Sequence, residues 1–178
     1  MRKVHLEGLD ENGMETHEEV TLDGTTPVTT TGKFYRMYRF FGTEGGSGQT
    51  NAGTITVRHS FTTANVFGVM PVGYGQGQLA FYTVPASHRG LILRVKVGVS
   101  NAQQAAHEAT VTIATRRYNT NIWRYREPVV VSTSTAAEER PLGGWVVDPL
   151  TDVKMRVIGA TSDSLFVAGR FDILYQRI

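Results

Sequence analysis

The sequence has no cysteine, which excludes disulfides, thiolate metal sites and a cysteine nucleophile together. It has no apolar run near the roughly 18 residues of a membrane span, and its start lacks the cationic-then-apolar order of a secretory leader. Lysine is scarce, 4 residues against 14 arginines. Net charge is only +2 over 178 residues, too little for a generic polyanion binder. Leucine (10) and alanine (13) are few beside threonine (22) and valine (20). Helix-forming composition is confined to residues 102–108 and 135–140, each long enough for a turn or two.

What is present favours strands. β-Branched side chains pack well on a pleated sheet and lose rotamer freedom in a helix. Nineteen glycines supply the positive-φ turns that many short strands require. Period-2 alternation predicts strands over residues 4–9, 17–22, 34–42, 54–59, 66–72, 79–84, 91–100, 109–117, 121–132, 153–160 and 165–176. Both faces of 34–42 carry aromatics, which predicts a strand covered on both sides. No repeat of fixed period is visible, so propellers and solenoids are disfavoured. The expected fold is all-β, one antiparallel β-sandwich domain of jelly-roll type. Residues 1–32 are expected as an N-terminal acidic arm or edge hairpin, packed on the same domain or a neighbour, and residues 33–178 as the sandwich body.

No motif in the chain specifies a reaction. The five histidines (His5, His17, His59, His88 and His107) have no metal-ligand spacing. Gly73-Tyr74-Gly75-Gln76-Gly77 lacks both the Gly-Lys-Ser/Thr ending and the following helix that a phosphate loop needs. Gly45-Gly46-Ser47-Gly48 sits in a Gly/Thr/Gln-rich stretch and reads as a surface loop, not a nucleophile elbow. Glu138-Glu139 and the pair Asp148 and Asp152 have acid–base chemistry in principle, but acidic residues in turns ordinarily serve solubility. The expectation is no enzyme, no catalytic residue, no metal and no cofactor.

The arginines are the better clue. Arg94, Lys96, Arg116, Arg124, Arg126, Lys154 and Arg156 all fall in strand patterns, mostly opposite the apolar positions. If these strands share a sheet, its outer face is basic; the simplest role is a solvated face that deters edge aggregation. With Trp123 and Tyr125 interleaved, the same residues suit a protein interface, where arginine and aromatics are preferred anchors. Nucleic acid is disfavoured by the small net charge, and no membrane contact is expected. Residues 1–32 hold seven acidic side chains against Arg2 and Lys3, a balance of −5, so the rest of the chain carries +7. That asymmetry predicts pairing within the chain or between copies, hence a homo-oligomer.

Two stretches then carry a resemblance. One is Val20-Thr21-Leu22-Asp23-Gly24-Thr25-Thr26-Pro27-Val28-Thr29-Thr30-Thr31, followed by Phe34-Tyr35-Arg36, Gly46-Ser47-Gly48 and Asn51-Ala52-Gly53-Thr54-Ile55-Thr56-Val57. The other is Ala80-Phe81-Tyr82-Thr83-Val84-Pro85-Ala86, then Gly90-Leu91 and Arg170-Phe171-Asp172-Ile173-Leu174. Their order resembles small β-rich structural proteins of tailed bacteriophages, those of marine and cyanobacterial phages especially. The resemblance implies a non-enzymatic virion protein, often trimeric. Its expected role is capsid decoration (cement) on the major capsid protein lattice, with a receptor- or carbohydrate-binding head of a fibre or spike as the alternative. It implies a place on the capsid surface ahead of the tail fibre, and partners among the major capsid protein or other virion proteins.

Overall fold

Alternation at the start of the chain yields β1 (Lys3–Leu9) and β2 (Glu15–Thr21), paired antiparallel. The structure, a computed structural model, describes every residue except 102–105, 127 and 134. Asp10 closes the first turn, its Oδ1 accepting from the amides of Asn12 and Met14. β3 (Arg36–Glu44) pairs with the other side of β1. β1 is therefore central, and β2 and β3 are the outer strands. The boundary expected at residue 32 falls inside this sheet, because the third strand lies beyond it. The chain divides instead into two compact units, Met1–Leu79 and Ala80–Ile178.

In the first unit β3 departs from strict alternation. Glu7 pairs with Arg39 but Gly8 with Met37, so Tyr38 is an extra, bulged residue. The bulge lets Met37 and Phe40, three apart, both face the core with Val4, Leu6 and Met70. Hence β3 is not covered on both sides; Arg39 is exposed. β4 (Ile55–Arg58) and β5 (Val66–Met70) form a separate antiparallel pair. The run Gly73–Gly77 is a loop laid along β3: Gly42 N donates to Gly75 O and Gly77 N to Phe40 O. A Cβ on Gly77 would lie 2.1 Å from the Phe40 ring, so glycine is required for that approach. Buried Asn51 ties the surrounding loops, donating to Gly53 O and Pro71 O and accepting from Gly75 N.

The second unit is a pair of antiparallel sheets. One contains β6 (Phe81–Thr83), β13 (Asp152–Ala160), β8 (Glu108–Arg116) and β10 (Val129–Ser132) in that order. β9 (Arg124–Tyr125) also pairs with β8. The other contains β7 (His88–Asn101), flanked by β14 (Leu165–Arg177) on one side and by β11 (Ala136–Glu139) and β12 (Trp145–Val147) on the other. Ile92, Val95 and Val97 from one sheet meet Val111, Ile113, Val131 and Val153 from the other in a shared core. The fold class is thus all-β and antiparallel, with sandwich-like packing in this unit.

Three elements differ from expectation. Residues 135–140, of helical composition, contain β11, because pairing of Ala136–Glu139 with β7 outweighs a weak local preference. The single strand expected over 121–132 is two, β9 and β10. Pro128, which lacks an amide proton, stands between them. Of the other helix-like stretch, residues 102–105 lie outside the described residues and Glu108 opens β8. No helix among the described residues is long and apolar enough to cross a membrane.

Candidate functional site

The seven basic candidates do not share one sheet. Arg94 and Lys96 lie on β7, whereas Arg116, Lys154 and Arg156 lie on β8 and β13, with Arg124 on β9 and Arg126 just after it. Period 2 shows which side of its own strand a residue takes but not which sheet the strand joins.

On β7 the charges are matched. Arg94 Nε donates to Asp172 Oδ2 at 2.6 Å. Lys96 stands between Glu138 of β11 and Arg170 of β14 in the cross-strand row. A hydrogen bond from Arg140 holds the Glu138 carboxyl below the usual carboxylate range, with Arg94 and Lys96 adding attraction. This face is mixed in sign and is not the basic surface.

The other sheet gathers cations around two aromatics. A row across three strands sets Thr83, Asp152 and Arg116 side by side. Thr83 Oγ1 donates to Asp152 Oδ1 at 2.7 Å, and Arg116 Nε donates to Oδ2 at 2.9 Å. Asp152 is buried, its side chain 3% exposed, and this pairing fixes the Arg116 guanidinium. Arg116 Cζ then lies 4.6 Å from the Trp123 ring centre and Lys154 Nζ 3.7 Å from it. Arg156 Nη1 donates to Tyr125 Oη at 2.6 Å. Two residues on, in the next row on the same side, fully buried Ala114 separates Lys154 from Tyr125. Burial lowers the Lys154 pKa, and repulsion from Arg156 and Arg116 lowers it further, against the attraction of Asp152.

On the opposite side of the sheet Arg117, Arg124 and Arg126 line a shallow cleft of about 100 Å³ with Asp148, Thr115 and Thr151, together with Val146 and Val147 of β12. Arg117 Nη2 donates to Asp148 Oδ2 at 2.9 Å, while Arg124 and Arg126 form no ion pair among the described residues. Buried Thr151 Oγ1 has no hydrogen-bond partner among the described residues. Arg116, Lys154 and Arg156 are thus brought together around Trp123 and Tyr125. Arg124 and Arg126 take the opposite side of β9, where Arg126 Cζ lies 6.0 Å from the Trp145 ring centre, and Arg94 and Lys96 lie on the other sheet. Asp152 is the organiser that sequence reasoning missed: its partners stand 36 and 69 positions away, beyond any local pattern. The two aspartates considered for acid–base work are each engaged by an arginine.

Part of the acidic opening segment is engaged within its own unit. Glu7 pairs with Arg39, and Glu19 with Lys3 and Thr43. Glu18 accepts from the amides of Thr31 and Gly32 at 2.8 Å each. His5 and His17, remote in spacing, stack across β1 and β2 at 5.4 Å. No group of three His, Cys, Asp or Glu residues suited to a metal occurs among the described residues. Comparison with family models, with curated proteins and with solved structures finds no match to this chain.

Proposed function

We propose that this chain is a non-enzymatic virion structural protein, a capsid decoration (cement) protein at the capsid surface that binds the major capsid protein lattice. The reading assigns the second unit to the jelly-roll type, on the ground that its connections pass repeatedly from one sheet to the other. One observation carries the functional reading: Arg116, Lys154 and Arg156 gather with Trp123 and Tyr125 on one face of a sheet. Arginine and aromatic side chains are the preferred anchors of protein interfaces. Arg124 and Arg126, which form no ion pair among the described residues, suit an acidic partner surface. Many modest footprints on a repeating lattice add up through avidity.

The alternative, a sugar-binding head on a fibre or spike, has less support. The Trp123 ring, its best stacking platform, already meets two cations.

Co-sedimentation with intact and decoration-free capsids across a salt series tests the proposal. Saturable binding only to bare capsids is expected, weakening as salt rises. Reversing both charges in Arg124→Glu/Arg126→Glu is expected to lower affinity about tenfold or more. A chain that leaves bare capsids undecorated overturns the reading. Adsorption to host cells that is lost in Trp123→Ala would assign the fibre role instead.

A further inference from the structure

β14 is an edge of its sheet: among the described residues it pairs with β7 and with no other strand. It runs for 13 residues, and the register shift in this pair falls on β7, where Leu93 is the extra residue, so β14 itself is uninterrupted. It contains no proline, no lysine and no bulge, three devices that blunt an edge; its charged residues, Arg170, Asp172 and Arg177, are of both signs. Its backbone groups on the side away from β7 have no backbone partner among the described residues. Phe166 and Leu174, on the side turned away from the core, are 66% and 58% exposed.

We propose that this edge pairs antiparallel with β14 of a second copy of the chain, giving a two-fold dimer. Phe171 is the midpoint of Leu165–Arg177, so pairing the whole strand places the symmetry axis there. In that register Arg170 of each copy faces Asp172 of the other, Ala168 faces Leu174, and Val167 faces Tyr175. Arg170 has no ion pair of its own among the described residues, whereas Arg94 engages Asp172 through Oδ2. That leaves Oδ1 to face the incoming guanidinium. Opposed residues must point to one side of the sheet, so the nearest alternative registers are displaced by two residues. Those registers oppose Arg170 to Arg170 or Asp172 to Asp172, and like charges directly opposite are unfavourable. Length and charge therefore select the same self-complementary register, as an isologous contact requires. This inference is independent of the capsid reading, and it differs from the threefold assembly implied by the resemblance.

A chain without cysteine lends itself to a cross-linking test. Ala168 and Leu174 are exposed, and across the dimer their Cα atoms would lie about 4.5–5.5 Å apart, within disulfide reach. Along one strand they are roughly 20 Å apart. Oxidised Ala168→Cys/Leu174→Cys is expected to run as a covalent dimer, and neither single variant should. In sedimentation velocity over a concentration series, the unmodified chain is expected to dimerise. Arg170→Asp, which opposes two aspartates, should weaken that association about tenfold with an unchanged far-UV spectrum and melt. A monomer at every concentration, a trimer indifferent to Arg170→Asp, or a double variant that stays uncross-linked would each overturn the proposal.

Discussion

At the scale of single residues, Lys154 shows how the basic face is paid for in stability. Its ammonium rests over Trp123 between Arg116 and Arg156, and burial followed by like-charge repulsion holds its pKa below the ordinary lysine value. Between the lowered value and the ordinary one, the unfolded chain binds more protons than the folded chain. Unfolding free energy therefore rises with pH across that alkaline interval, as the penalty of a charged Lys154 is relieved. Urea unfolding of wild type and Lys154→Met, followed from neutral pH upward, is expected to show wild type gaining relative to the variant. Lys3 behaves oppositely: its hydrogen bond to Glu19 raises its pKa, so its contribution is lost as pH rises through the raised value. Comparing two chains that both retain Lys3 separates the two effects. The sequence offered Lys154 and Trp123 as a cation and an aromatic 31 positions apart. Their contact depends on β8 lying between β13 and β9, which no spacing rule contains.

At the scale of elements, turns decide where long patterns break. β11 and β12 follow one edge of β7 and are separated by Arg140-Pro141-Leu142-Gly143-Gly144. Gly144 has φ of 75°, its amide donates to Pro141 O, and a Cβ there would lie 2.7 Å from Leu91 Cγ. Gly144→Val combines left-handed strain with overpacking, and is expected to cost about 2–4 kcal/mol in urea unfolding. The strands themselves were legible wherever one face is buried, as in β7, β8 and β14, because burial imposes period 2. β11 was not, since Ala136 to Glu139 has the composition of a helix and becomes a strand only through the ladder that β7 offers. β3 was legible as a strand but not in its facing, because the Tyr38 bulge shifts the pattern midway.

At the scale of the whole molecule there are two cores, one around Phe40 and Met70 and one shared by two sheets. The second unit, Ala80–Ile178, carries all its strand partners within itself. Expressed alone, residues 80–178 are expected to unfold cooperatively in urea with a β-type far-UV spectrum; a broad, non-cooperative transition would count against an independent core. By itself the sequence determined the class. The absence of cysteine and of long helical periodicity, with threonine and valine in excess, left only short antiparallel strands and no thiol chemistry. It also determined which residues are basic and to which side of a strand each points. Tertiary structure alone decided that the strands divide at Leu79 and Ala80, that Arg94 pairs with Asp172 and that Lys96 falls beside Glu138. It alone seated Arg116, Lys154 and Arg156 around Trp123, Tyr125 and buried Asp152, and turned Arg124 and Arg126 to the other side of the sheet. The physical reason is that side-chain alternation is a property of one strand. Pairing is a choice among strands made by burial and hydrogen bonding across many tens of residues.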